Sequence, residues 1–107
     1  MSRLFAALAL ALALASACAP VRSGFGREAP LHGKVVFDTH CAPCHPGGNG
    51  GVGPSLDRPF THAVLHAQVR LGSGNMPPFD ENALDERDFE DLAEYLRALR
   101  AARLASR

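Results

Sequence analysis

The sequence predicts a single all-α domain, and three observations support this class. Residues 61–71 and 85–103 carry apolar side chains at helical spacing, and each segment begins at a residue type that caps helices. The sequence shows no pair of alternating apolar segments joined by a tight turn, as a β-hairpin would require. A chain of 107 residues, 47% of them hydrophobic, suits one small globular domain. We therefore expect about three to four helices.

The charge composition limits the classes of partner. The chain carries 11 Lys and Arg against 11 Asp and Glu, so its formal net charge is zero. A surface that binds nucleic acid requires an excess of basic residues, and a disordered acidic chain has an excess of acidic residues. We expect neither, and we predict no nucleic acid partner.

The N-terminal segment, residues 1–17, has the three parts of a secretory signal peptide. Arg3 supplies the positive start, residues 4–14 are continuously apolar, and Ala15-Ser16-Ala17 is a small-residue cleavage sequence. The apolar run is too short to favour a membrane-spanning helix. The rest of the chain is therefore expected outside the cytoplasm, in the periplasm or at the extracytoplasmic face of a bacterial membrane.

Cys18 directly follows the predicted cleavage sequence. Residues 14–18, Leu-Ala-Ser-Ala-Cys, resemble a bacterial lipoprotein box, although Ala15 stands where that family usually has Leu. The resemblance implies a lipid on Cys18 and membrane anchorage through it. Ordinary cleavage after Ala17, giving a soluble exported protein, remains the alternative. Because the other two cysteines form a pair by spacing, the odd Cys18 favours lipidation.

Residues 18–32 are predicted to be a flexible tether, because they are rich in Pro, Gly, Ser and charge and have no apolar period. The folded domain is predicted to cover residues 33–107. Its first element contains Val35, Val36 and Phe37, whose pattern fits either a short helix or an extended run leading into Cys41.

The second and third elements are predicted helices, separated from the first by a glycine-rich stretch at residues 47–53. Thr61 caps the second helix and Gly72 ends it. Asp85 caps the last helix with Asp88 three residues later, while Leu84 and Phe89 take the positions of a hydrophobic staple. The last helix is acidic in its first half and basic in its second, which suits the helix dipole.

Cys41-Ala42-Pro43-Cys44-His45 is the C-x-x-C-H pattern at which haem is attached covalently. Two thiols three residues apart can each bond one vinyl group on the same porphyrin edge, and the next imidazole can bind the iron. Three alternatives stay open: a thioredoxin-like redox pair, a zinc site that adds His62 or His66, and a local disulfide. The sequence lacks the βαβ context of the first alternative and the second half-motif of the zinc site.

Met76 is the candidate for the opposite iron ligand. Met1 belongs to the predicted signal peptide, so Met76 is the only methionine left if the sixth ligand is a thioether. Pro77 and Pro78 stiffen the loop after it, and Gly72 and Gly74 let the backbone pass close to a large flat ring.

Together these motifs resemble a class I monohaem cytochrome c over residues 33–100. The resemblance is carried by Cys41-Ala42-Pro43-Cys44-His45, by Gly53-Pro54-Ser55-Leu56, by residues 69–79 around Met76, by Gly33 and Phe37, and by Tyr95-Leu96. It implies helices wrapped around one covalent haem c, with the first and last helices crossing. It further implies His45 as proximal and Met76 as distal iron ligand, and a Pro54 carbonyl that accepts a hydrogen bond from His45.

The resemblance also implies a function: single-electron transfer between partner proteins that dock transiently. The docking patch is expected at the thioether edge, near Ala42, Pro43, Pro46 and Pro77. Because the chain has no Trp, Arg58 or Arg70 is the candidate partner of the haem propionates, or else a surface charge. Two other functions remain open: a haem enzyme or gas sensor with a labile sixth ligand, and a cytochrome subunit of a periplasmic dehydrogenase or respiratory complex.

Two further patterns carry no assignment. Residues 48–53 fit G-x-G-x-x-G, but no strand precedes them and Pro54 follows, so we interpret them as a glycine loop. His62 and His66 lie four residues apart on one helical face, and the sequence leaves their role open.

Overall fold

The computed structural model describes residues 25–107. Three α-helices make up most of this part: α1, Phe25–His40; α2, His62–Leu71; and α3, Glu86–Ala105. A short 3-10 turn covers Pro46–Gly48, and within residues 25–107 the only β pairing is the isolated bridge between Ser73 and Met76. The predicted all-α class is confirmed.

Helix α1 packs along α3, and Gly33 marks the crossing. A Cβ atom at residue 33 would lie 2.0 Å from the carbonyl oxygen of Asp91 and 2.8 Å from Cβ of Tyr95. Only glycine therefore lets the two helices approach this closely. The Phe37 ring packs against Tyr95 at 5.3 Å between centroids, one turn further along.

The core is small and lies mainly between α1 and α3. Its buried apolar side chains come from all three helices and from Leu84, and they are Val36, Phe37, Val69, Leu84, Phe89, Leu92, Ala93 and Leu96. Helix α2 contributes Val69 to this core. Within residues 25–107, no helix is long and apolar enough to cross a membrane.

The capping signals of α2 and α3 act as predicted. Thr61 Oγ1 accepts a hydrogen bond from the Val64 amide, and Gly72 ends α2 with φ of 65°. Asp85 Oδ1 accepts from the Asp88 amide at 2.8 Å. Leu84 and Phe89, the predicted staple, are both fully buried. The Asp88 carboxylate accepts a hydrogen bond from His32 on α1 at 2.8 Å, where the predicted capping box would have it bond to the Asp85 amide, so Asp88 ties α1 to α3.

The first helix begins earlier than the sequence predicts. The predicted tether ends at residue 32, but α1 already begins at Phe25, so residues 25–32 are helical. Pro30 lies inside this helix, where it lacks the N–H that would bond to the Gly26 carbonyl. The contacts of α1 with α3 begin at the end of this stretch, at His32 and Gly33, and local composition does not report them. The predicted signal peptide, Cys18 and the rest of the tether lie outside the described residues.

Candidate haem site

The C-x-x-C-H segment continues directly from the end of α1. The amides of Cys41 and Ala42 both donate to the Phe37 carbonyl, and the His45 amide donates to the Cys41 carbonyl at 2.8 Å. The segment therefore coils into a tight turn that places His45 one turn after Cys41. The end of α1 therefore positions both Cys41 and His45.

His45 is the one buried polar side chain of the described residues, with 7% of its surface exposed. Its Nδ1 lies 3.0 Å from the carbonyl oxygen of Pro54. Because a carbonyl can only accept, we assign the proton to Nδ1, which leaves the lone pair on Nε2. A histidine held in this way presents Nε2 as a metal ligand of fixed orientation.

Gly53 makes room for the imidazole. A Cβ at this position would lie 2.1 Å from Cε1 and 2.4 Å from Nδ1 of His45, far inside contact distance. The Gly53 amide donates to the Cys44 carbonyl at 3.0 Å, which holds the loop against the ring. The sequence analysis includes Gly53 only as part of a motif and does not assign it this role. Its position beside Pro54 in a glycine-rich run was the signal that could have indicated it.

The two cysteines of the motif are free thiols, so the alternative of a local disulfide has no support. Burial raises the pKa of the Cys41 thiol to about 11, whereas Cys44 is exposed. Catalytic redox cysteines have a lowered pKa, because the thiolate is their reactive form. The environment of Cys41 therefore argues against a thioredoxin-like pair.

Met76 lies in a short loop that is closed by backbone hydrogen bonds. Ser73 and Met76 exchange two backbone hydrogen bonds, of 3.1 and 2.9 Å. The loop folds tightly onto Gly72, where a Cβ would lie 2.5 Å from the Met76 carbonyl oxygen. The half-buried thioether accepts a hydrogen bond from Gln68 Nε2, 3.3 Å from Sδ. This contact is a feature that the sequence analysis missed, since an amide eight residues away carries no motif.

Arg70 anchors the segment that follows Met76. One guanidinium nitrogen donates to the carbonyls of Phe79 at 3.2 Å and Leu84 at 2.6 Å, and the other pairs with Glu86 at 3.0 Å. These contacts give Arg70 a structural role, and its pairing with a haem propionate stays a prediction. Arg58 is exposed.

His62 and His66 flank the ring of Phe89, edge-on, with centroid distances of 5.2 and 4.9 Å. Nε2 of His62 lies 2.7 Å from Glu90, and Nε2 of His66 lies 3.5 Å from Glu86. Both histidines thus link α2 to α3. Among residues 25–107 no three His, Cys, Asp or Glu side chains are arranged to hold a metal ion, so the zinc alternative has no support there.

The residues present fit a c-type haem. The segment supplies two free thiols for thioethers and an imidazole whose Nδ1 is already bonded, and the loop at residue 76 supplies a thioether sulfur. Half-buried apolar side chains pack against the core and offer an apolar lining, namely Leu56, Phe60, Leu65, Phe79 and Leu99. A planar apolar cofactor needs such a lining.

Comparison with known proteins points the same way. Residues 28–96 match the family model described as cytochrome C oxidase, cbb3-type, subunit III. The chain is similar to cytochrome c6 of Synechocystis sp., with 34% identity over 74 residues, covering 61% of each protein. It is also similar to cytochrome c6 of Cyanidioschyzon merolae, with 36% identity over 76 residues, 63% of this chain and 71% of that protein.

A third relative is larger. The cbb3-type cytochrome c oxidase subunit FixP of Azorhizobium caulinodans is 31% identical over 90 residues, which cover 69% of this chain but 30% of that subunit. No solved structure gives a significant match. The family match spans more than half of the chain, including both cysteines, His45 and Met76. The chain therefore belongs to the cytochrome family described as cbb3-type cytochrome C oxidase subunit III, and it is a small monohaem c-type cytochrome.

Proposed function

We propose that this cytochrome is an electron carrier in which His45 and Met76 are the two axial ligands of the haem iron. The observation that carries the proposal is the buried His45, held by Pro54 through Nδ1 and preceded by two free thiols. The half-buried Met76 supports it, because its loop is fixed by backbone hydrogen bonds and its sulfur by Gln68.

Each residue has a distinct task in electron transfer. Cys41 and Cys44 would hold the haem covalently, and the Pro54 carbonyl fixes the ring of His45 and increases its basicity. The haem supplies a one-electron couple between ferric and ferrous iron. The soft sulfur of Met76 favours the ferrous form and raises the reduction potential. If His45 and Met76 both bound the iron, electron transfer would need no bond to form or break.

The relatives suggest two settings for this carrier. Cytochrome c6 of Synechocystis sp. is a protein of similar size, whereas FixP is a subunit of a cbb3-type cytochrome c oxidase. We favour a freely docking carrier, because exposed apolar side chains flank both ligand motifs, among them Pro43, Pro46, Val52 and Pro77. Small transient interfaces of redox partners use such patches. A subunit of a periplasmic or respiratory complex is the second candidate, favoured by the family match, and it predicts co-purification of an enzyme partner.

The proposed location is the periplasm or the extracytoplasmic membrane face. It rests on the signal-peptide pattern of residues 1–17, and the lipid on Cys18 rests on the lipoprotein-box pattern. Intact mass measurement of the purified mature protein tests both. A diacylglyceryl or triacylated Cys18 at the N-terminus supports anchorage, and an unmodified mature N-terminus rejects it.

The function is tested by visible spectra of the ferric, dithionite-reduced and carbon monoxide-treated protein. We expect sharp low-spin bands of a c-type haem, a ferric sulfur-to-iron charge-transfer band and no response to carbon monoxide. In Met76→Ala the charge-transfer band disappears and carbon monoxide binds, whereas Ser73→Ala, in the same loop, keeps both properties. A wild-type protein that binds carbon monoxide readily would instead be the enzyme or gas sensor.

A further inference from the structure

The C-terminal part of α3 reaches the loops around His45. The family match ends at residue 96, but α3 continues to Ala105 and carries Arg100 and Arg103 in this extra part. These arginines turn toward the two loop segments on either side of the His45–Pro54 hydrogen bond. They belong to no motif that the sequence analysis singled out.

Arg103 bridges those two segments. One guanidinium nitrogen donates to the carboxylate of Asp57, and the other donates to the carbonyl of Gly47. The side chains of Arg103 and Asp57 are each only 22% exposed. Arg100 adds a third contact, from Nε to the Asp57 carbonyl at 3.2 Å.

The turn at Pro46–Gly48 packs close to the guanidinium of Arg103 and to Leu99. A Cβ at Gly48 would lie 3.7 Å from both terminal nitrogens of Arg103 and 2.9 Å from Cδ2 of Leu99. Gly47 and Gly48 have φ of 62° and 83°, which favours glycine at both positions. The side chain of Arg103 therefore lies flat across the turn at Pro46–Gly48.

These contacts join the chain segments that follow His45 and Pro54. Gly47 comes two residues after His45, and Asp57 comes three residues after Pro54. The Gly48 amide donates to the His45 carbonyl at 2.8 Å, and the Leu56 amide donates to the Gly48 carbonyl at 2.7 Å. A side chain that joins Gly47 to Asp57 thus joins the chain segments that carry the donor and the acceptor of the Nδ1 hydrogen bond.

We infer that Arg103 is a positioning residue for His45, which it orients by clamping Gly47 and Asp57 together. The inference rests on the proposed function, in which His45 binds the iron. A charged bidentate donor suits this task, because two charge-assisted hydrogen bonds fix direction as well as distance. The partial burial of the pair protects it from screening by solvent and salt.

The test compares Arg103→Ala, Arg103→Lys and Asp57→Asn with Arg97→Ala in the haem-loaded protein. Arg97 is the matched control, since it lies on the same helix, is 45% exposed and pairs with Glu94 of its own helix. Proton NMR of the ferric protein reports the orientation of the axial imidazole through the order and spread of the four haem methyl shifts. Exchange of the His45 Nδ1 proton reports the hydrogen bond to Pro54.

We expect Arg103→Ala to change the methyl pattern and to accelerate exchange of the Nδ1 proton roughly fivefold, the effect of losing about one net hydrogen bond. Arg103→Lys and Asp57→Asn should lie between Arg103→Ala and wild type, and Arg97→Ala should match wild type. If Arg103→Ala fails to attach haem, Arg103→Lys and Asp57→Asn decide the question by the same two signals.

A purely structural role predicts a different result. In that case the Arg103 variants lower the melting temperature but leave the methyl pattern and the Nδ1 exchange rate unchanged, which overturns the inference and leaves the proposed function intact. A wild-type protein without a low-spin haem signal overturns the proposed function itself, and the two failures are thereby distinguished.

Discussion

Gly53 is the residue whose size most directly limits the haem site. An added methyl group would overlap the imidazole of His45, with 2.1 Å between Cβ and Cε1. The ring must then tilt away from Pro54, and its Nδ1 hydrogen bond of 3.0 Å is lost. We therefore expect Gly53→Ala to lose low-spin haem absorption and most of the attached haem.

The measurement for Gly53→Ala is haem content per chain together with the visible spectrum after expression with the attachment machinery. Gly50→Ala is the control, because a Cβ there comes no closer than 3.3 Å, to the Pro46 carbonyl oxygen. Normal haem content and normal spectra in Gly53→Ala would mean that the ring does not occupy this position in the haem-loaded protein.

Gln68 gives a prediction about the reduction potential. Its amide points the positive end of an N–H dipole at the sulfur of Met76, 3.3 Å away, which favours the electron-rich ferrous state. We expect Gln68→Leu to lower the potential by roughly 20–60 mV, the equivalent of one net hydrogen bond for a one-electron couple. Spectroelectrochemical titration measures the shift.

Ser73→Ala is the control for Gln68→Leu. Gln68 Nε2 also donates to Ser73 Oγ at 2.8 Å, so this variant removes the second partner and keeps the contact to sulfur. Its potential should stay close to that of wild type. A potential that rises in Gln68→Leu, or one that moves equally in both variants, contradicts the assignment.

At the scale of elements, Arg70 and Glu86 join α2 to the start of α3. The hydrogen bond from Arg70 lowers the pKa of Glu86 below its ordinary value of 4.5, helped by His66 and opposed by partial burial. A carboxylate whose pKa is depressed by folding stabilises the protein above its unfolded pKa and loses that contribution as the pH falls through the folded pKa.

We therefore expect Glu86→Gln to be less stable than wild type at neutral pH and equally stable below the folded pKa. Denaturant unfolding of the haem-loaded protein at both pH values measures the difference in the free energy of unfolding. Glu81→Gln serves as control, since Glu81 makes no ion pair among residues 25–107. A stability gap for Glu86→Gln that persists in acid would show that lost packing, not charge, causes it.

The elements also show what sequence can and cannot predict here. Helices α2 and α3 were predicted because their ends are local signals: Thr61 and Asp85 bond to amides three residues away. The start of α1 was missed because Pro30 and its polar neighbours favour a loop locally, whereas the contacts of α1 with α3, which begin at His32 and Gly33, are non-local. Cys41, Cys44, His45 and Met76 follow from motifs, whereas the roles of Gln68, Arg70 and Arg103 depend on contacts between distant segments.

At the scale of the whole molecule, the protein core by itself is small. Helix α1 packs along α3, α2 meets α3 over a short contact, and within residues 25–107 no Cα atom of α1 lies within 8 Å of one of α2. The apolar side chains nearest the ligand motifs, among them Leu56, Leu65 and Phe79, are only half-buried by protein. A domain of this size commonly depends on a bound group for part of its stability.

We therefore expect the chain without covalent haem to be only partly folded. In the double variant Cys41→Ala/Cys44→Ala, far-UV circular dichroism should show less helix than the haem-loaded protein and a broad thermal transition, because a core of eight buried apolar side chains cannot offset the entropy of ordering three helices. The single variant Cys44→Ala keeps one thioether and should retain a cooperative transition. A double variant as helical and as cooperative as the haem-loaded protein would mean that the contacts between α1 and α3 alone determine the fold.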